Sequence, residues 1–312
     1  MQPPKIALLL DWDSTLTKSD TLAAIASIPK GSRPSRDNTA LRWWQAIIDA
    51  YICDFGVHRA EYRPQPEKRL TVQDEIVWLQ SLADVERRSF ERAKSTERFA
   101  QVDGERFGQQ VNRLLGTGQV LIREDWHELF TDDNVKVAIV SVNWSRAFIR
   151  ECLKRQAMGL MGDTKDSILR RVEEIEIAAN EIFGGLALIE EVGVYTSKDK
   201  ADASKRLAAE LSDPKIVVYI GDSVTDLDSL LAADIGICLR DVELSSGQRE
   251  LASTLERVGI VVDPLGEMIV SFDDFGPGSV SHDSKPKLWW IHSLSEVAKL
   301  MATHLSRTEL YG

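Results

Sequence analysis

Four apolar runs of strand length, Ile6 to Leu10, Val135 to Val140, Ile216 to Ile220 and Ile235 to Leu239, punctuate a chain that is otherwise polar or helix-like in texture. Runs of this length, each followed by polar or helical sequence, predict βα units and a doubly wound, mostly parallel sheet of the α/β class. Three of the four end in polar clusters: DWDST, SVNWS and GDSVTD. Ligands of open parallel sheets bind outside the carboxyl ends of the strands, so these clusters are expected to meet at one crevice. The first run delivers Asp11 and Asp13 straight from buried strand, and an ionised carboxylate in such a place needs a partner. GDSVTD, which sets Asp222 and Asp226 after another apolar strand, supplies it best by making an oxygen-rich pocket suited to a hard cation such as Mg²⁺.

From about Lys18 to Gly118 the texture changes to helical periods rich in charge, as in WWQAIIDAYICDF and EIVWLQSLADVERRSF, which predicts a helical insertion. GSRPSRDN (31–38) and the GTG at 116–118 read as turn material, the latter a hinge back into the core. Residues 271–287 read as a loop, and LWWIHSLSEVAKLMATHL as a last strand and helix completing the core's edge. At 312 residues and 43% hydrophobic content there is material for one large domain or two. A net charge of -11 argues against a broad grip on nucleic acid or an anionic membrane. Cys53, Cys152 and Cys238 show neither disulfide nor zinc spacing, no apolar run reaches spanning length, and the chain is expected to be soluble and cytoplasmic. The five histidines lack metal spacing and are assigned no catalytic part.

The four clusters in this order resemble the motifs of the haloacid dehalogenase superfamily, in particular its aspartate-nucleophile phosphatases: DWDST the first, Ser141 the second, a lysine near YTSKDK the third, GDSVTD the fourth. The resemblance implies a Rossmann-like core in two parts, 1–17 and 121–312, with a helical cap of the first type at 18–120. ANEIF (179–183) is similar to a stretch of the phosphoserine-phosphatase branch, while Asn143 and Trp144 depart from the small residues common after the second-motif serine and look closer to fungal members.

The resemblance and phosphoryl-transfer chemistry together imply the roles. Positive charge must offset repulsion between a phosphate dianion and an anionic nucleophile, and Mg²⁺ and a lysine would provide it. Asp11 would attack phosphorus. Asp13 would protonate the leaving oxygen, later deprotonate water, and lend its backbone carbonyl to the metal. Ser141 and Asn143 would contact phosphate, and the backbone N–H groups around Ser14 and Thr15 would cradle it. Lys200 best resembles the family's lysine, with Lys198 and Lys205 as alternatives. Asp11, Asp13, Asp222 and Asp226 would make the metal site, Asp226 either through water or by orienting Lys200. The presence of Asp13 favours phosphoryl over carbon–halogen chemistry. The expected partner is a small phosphorylated substrate, with no nucleic acid or membrane involved; a phosphomutase, a prenyl mono- or diphosphate phosphatase and a non-catalytic binding protein stay open. Asp20 reads either as a contact to a substrate amine or as a helix N-terminal charge. Trp43, Trp44 and Trp78 read either as a substrate lid or as helix packing. EEIEIAANE (173–181) reads as a solvated face leading into a strand.

Overall fold

The structure is a computed structural model of the chain and describes residues 6–30, 39–184, 193–211, 216–267 and 287–311. The GSRPSRDN turn and residues 271–286 of the expected loop lie outside the described residues. In chain order the elements are β1 (Ile6–Leu10), α1 (Leu22–Ser27), α2 (Thr39–Glu61), α3 (Val72–Ser81), α4 (Ala83–Lys94), α5 (Gly104–Gly116), β2 (Val135–Val140), α6 (Arg146–Gly159), α7 (Lys165–Glu174), β3 (Glu176–Ala178), α8 (Ser197–Glu210), β4 (Ile216–Gly221), α9 (Leu227–Ala232), β5 (Ile235–Leu239), α10 (Ser246–Arg257), β6 (Val261–Pro264), β7 (Lys287–Ile291) and α11 (Leu294–Tyr311).

The strands form one sheet in the order β3-β2-β1-β4-β5-β7-β6, and all the strand pairs are parallel. All five residues of β1 are fully buried because helices cover both faces of the sheet. Alternation sends Ile6, Leu8 and Leu10 to one face, with Phe148 and Ile149 of α6 and Val297 of α11, and Leu9 to the other, with Leu207 of α8 and Leu251 of α10. Each such side chain contributes about 1.5–3 kcal/mol when fully buried. In β1, Leu10 lies level with Ile139 of β2 and Ile220 of β4, so the chains leave all three strands side by side. Strand order changes direction around β1, which is where a crevice opens in such sheets.

The segment between β1 and β2 is helical, as expected. Its α2 packs on α4, α3 on α8 and α5 on α6. A buried ion cluster ties the approach to α3 to the core: Glu75 Oε2 lies 2.8 Å from Arg69 Nε and 3.0 Å from Arg257 Nη2 at the end of α10. The two connections of the insertion meet in an antiparallel bridge between Thr17 and Ile122. Gly118 of the GTG stretch takes a positive φ of 70° just after α5, a turn that favours glycine.

One expectation needs correction. The final strand is not at the edge: β7 inserts between β5 and β6, and the edge is β6, a four-residue strand the sequence reading did not single out. Of the two readings of the tryptophans, the contacts support helix packing. Trp44 packs edge-on to Trp144, Trp43 to Phe99, and Trp78 lies among Phe55, Tyr62 and His58, so these rings serve helix packing.

Candidate active site

A cleft of about 440 Å³ opens over the ends of β1, β2 and β4, with Asp11, Asp13, Ser141 and Asp222 in its wall. Asp11 is the first residue past β1, and its N–H donates to the Ile220 carbonyl, which holds it level with the end of β4. Ser141 is the first residue past β2 and is completely buried. Asp222 follows Gly221 and accepts a hydrogen bond from Thr15 Oγ1 at 3.3 Å.

Beneath the cleft floor lies Lys200. A capping box between Thr196 and Asp199 starts α8 and sets its phase, so that Lys200 turns inward with no exposed surface. Its ammonium lies 2.7 Å from Asp11 Oδ1 and 2.6 Å from Asp226 Oδ1. Lys198 turns outward to pair with Asp202, and Lys205 is exposed. Of the three lysines, Lys200 is the one brought against Asp11.

The Asp226 oxygens are already occupied. Oδ1 accepts from Lys200 and from Tyr219 Oη at 2.7 Å; Oδ2 accepts from the N–H groups of Asp222 and Ser223 and from Ser223 Oγ. Of its two expected roles, the hydrogen bonds support the orientation of Lys200. Carboxylate oxygens of Asp11, Asp222 and Asp226 nevertheless fall within 4.8 Å of one another, all buried. Three carboxylates against one ammonium leave excess negative charge in a dry place. Burial, then the charges of Asp11 and Asp226, push Asp222 up to about 9, against the pull of Lys200. Burial and the Asp226 charge push Asp11 up to about 7, again opposed by Lys200. Burial lowers the Lys200 ammonium, but Asp11 and Asp226 outweigh it and raise it overall.

Asp13 is held by a different set. Its Oδ1 accepts from Thr21 N at 2.8 Å and Thr21 Oγ1 at 2.6 Å, and its Oδ2 from Asn143 Nδ2 at 2.8 Å. Burial and the nearby charge of Asp20 push it up to about 6 despite these donors. Asp20 accepts from the N–H of Leu22, so it does serve the start of α1, and it also lines the cleft.

Two backbone N–H groups of the turn after Asp11 are engaged within the chain. The Ser14 N–H donates to Thr17 Oγ1 and the Thr15 N–H to the Trp12 carbonyl, so those groups are turned into the loop. Ser14 takes a left-handed φ of 59°, uncommon for a residue with a Cβ. The turn is clamped by Arg123, whose guanidinium donates to the carbonyls of Ser14 and Thr15 at 2.9 Å and pairs with Asp241.

Arg123, Thr21 and Tyr219 escaped the sequence reading. The available signal for Arg123 was a charge just past the apolar Val120 to Ile122 stretch at the end of the insertion. Asn180 and Glu181 of ANEIF also turn inward. Asn180 Nδ2 donates to the carbonyls of Val142, Asn143 and Val194, and Glu181 accepts from Ser145 Oγ and the Ala147 N–H at the start of α6. Only the first part of EEIEIAANE is thus a solvated face. His58, His127 and His292 bond to Ser81, the Glu124 carbonyl and the Arg240 carbonyl, away from the cleft.

Several solved structures are similar to this chain. A phosphoserine phosphatase carrying an analogue of its phospho-aspartyl intermediate is 16% identical, with 76% of this chain and 87% of that one covered and a TM-score of 0.37. A substrate-bound phosphoserine phosphatase is 14% identical, with 83% and 100% covered and a TM-score of 0.38. A protein of unknown function from Bordetella pertussis Tohama I is 18% identical, with 81% and 96% covered and a TM-score of 0.37. No curated protein matches. The family description "haloacid dehalogenase-like hydrolase" matches residues 7–234.

Proposed function

The chain belongs to the haloacid dehalogenase-like hydrolases and is an enzyme of that class, and from that premise we propose that it is a Mg²⁺-dependent phosphatase of small phosphomonoesters. The observation that carries the reading is Asp11: a buried carboxylate at a strand end, at the cleft wall, braced from below by Lys200.

In the proposed reaction an Asp11 oxygen bonds to phosphorus while the bond from phosphorus to the leaving oxygen breaks, and Asp13 passes its proton to that oxygen. Asp13, now a carboxylate, takes a proton from the water that attacks phosphorus, and the bond between phosphorus and Asp11 breaks to release phosphate. Lys200 opposes the protonation of Asp11 and aims it, and Ser141 would donate to a phosphate oxygen. Asp11 and Asp222, with the Asp13 carbonyl as the family resemblance implies, would hold the metal. The fit rests on the chemistry of the donors: hard carboxylate oxygens and excess buried negative charge. Mg²⁺ bound there would supply positive charge opposite the phosphate.

Ser19, Ser223, Thr225, Ser245 and Ser246 line the cleft, and Leu22 and Val142 are its only apolar side chains among the described residues. We assign residues 18–120 as the cap, whose Lys18 to Asp20 and Leu22 reach the cleft. Free Cys53, Cys152 and Cys238 fit a reducing, cytoplasmic setting. Among the described residues no helix is long and apolar enough to cross a membrane.

The test is phosphate release from a panel of phosphomonoesters, prenyl phosphates included, with Mg²⁺ and with chelator. Asp11→Asn should lose turnover by more than about a thousandfold with its circular dichroism unchanged. Full activity in that variant, or in chelator, rejects the reading.

A further inference from the structure

The Asn143 side chain is turned to Asp13. Its Oδ1 accepts the Ser145 N–H at 3.0 Å, which fixes the amide orientation and leaves Nδ2 to donate to Asp13 Oδ2 at 2.8 Å and Thr21 Oγ1 at 3.0 Å. Thr21 Oγ1 in turn donates to Asp13 Oδ1 and accepts from Trp12 Nε1 at 3.2 Å. Asn143 and Thr21 are both buried. The Asn143 backbone is pinned as well: its carbonyl accepts from both the N–H and the Nδ2 of Asn180.

The two oxygens of Asp13 are therefore not equivalent. Oδ1 receives two donors, Thr21 N and Oγ1, which fill its two lone-pair positions. Oδ2 receives only Asn143 Nδ2 and keeps one position open in a residue that lines the cleft. We infer that Asn143 and Thr21 are the positioning residues of the acid–base step, presenting Asp13 Oδ2 as the oxygen that carries the proton to the leaving group. This rests on the phosphatase reading above.

In that step the O–H bond at Asp13 Oδ2 breaks, its electron pair stays on the carboxylate, and the proton goes to the leaving oxygen as that oxygen takes the electron pair of its bond to phosphorus. An alkoxide needs this proton; a nitrophenolate leaves without it. Loss of Asn143 should therefore matter in proportion to the basicity of the leaving group, a signature that loosened packing would not produce.

The experiment measures kcat/KM, which reports steps up to release of the leaving group, for 4-nitrophenyl phosphate and glycerol phosphate with Mg²⁺. Wild type is compared with Asn143→Ala, Thr21→Val and Asp13→Asn, and with each pair that includes Asp13→Asn. Asn143→Ala is expected to lose about 10- to 100-fold on the alkyl ester and less than about threefold on the aryl ester, a part of what general acid catalysis supplies. Its effect on the alkyl ester should vanish in the Asp13→Asn background, since residues acting as one unit are not additive. Thr21→Val is nearly isosteric and keeps the backbone donor, so it decides the matter if Asn143→Ala fails to fold. Equal losses on both esters, or losses that add to Asp13→Asn, overturn the inference while leaving the phosphatase reading in place. Wild type inert on both esters, and on the wider panel, overturns both.

Discussion

Raising the pH on metal-free protein perturbs the carboxylate cluster most directly. Asp222 is held near 9 and Asp11 near 7, against an ordinary value of 3.8 for each. An acid whose value is raised by folding keeps a proton in the folded state that the unfolded chain has already lost. Stability is then full below about 4, where both states are protonated, and falls as pH climbs towards the folded value. Between pH 7 and 9 the retained proton on Asp222 corresponds to a decline of about 1.4 kcal/mol per pH unit. A divalent ion entering this cluster must expel that proton, so Mg²⁺ affinity should rise close to tenfold per pH unit over the same window, with about one proton released per ion. Urea unfolding of metal-free protein at pH 7, 8 and 9, and titration calorimetry of Mg²⁺ in two buffers of different ionisation enthalpy, measure the two slopes. Asp222→Asn removes the titrating group and should flatten the stability slope relative to wild type. Mg²⁺ affinity independent of pH from 7 to 9, with no proton release, would refute the argument that burial and the charges of Asp11 and Asp226 keep Asp222 protonated.

Lys200→Met leaves Asp11 and Asp226 buried without their cation and is expected to cost about 3–5 kcal/mol in urea unfolding, with the larger loss at alkaline pH. Gly221→Ala would place a Cβ 2.3 Å from the Asp226 Cγ. Five hydrogen bonds keep that side chain from yielding, so a loss of at least about 1–3 kcal/mol is expected by the same measurement. With Asp13 near 6 and required in its acid form, kcat/KM for alkyl phosphates should decline as pH rises through about 6, and Asp13→Asn should remove that limb from the profile.

The strands and the order of the polar clusters were legible because both are local signals. A run such as Ile6 to Leu10 is apolar at every position since both of its faces are covered, and a buried strand reads the same wherever it lies in a sheet. The place of β7 was not legible. Its sequence marks a strand, but pairing with β5 on one side and β6 on the other depends on how the chain returns over the sheet. Asn143 was singled out, but not its hydrogen bond to Asp13. Its spacing from Ser141 could be read, but its contact with Asp13 spans 130 residues.

By itself the sequence determined that carboxylates would stand at the ends of buried parallel strands, because hydrophobic runs that stop at polar clusters leave the chain few alternatives. It favoured Lys200 over Lys198 and Lys205 by resemblance alone. The physical choice was made by the phase of α8, set by the Thr196 cap: about 100° per residue turns position 200 under Asp11 while position 198 faces solvent and Asp202. Only the tertiary structure decided that Asp226 braces Lys200, that Arg123 clamps the turn after Asp13, and that Asn143 holds Asp13 Oδ2. Each of these contacts depends on strand register and helix phase between segments distant in sequence, and the directionality of a hydrogen bond leaves them no tolerance for a shifted register.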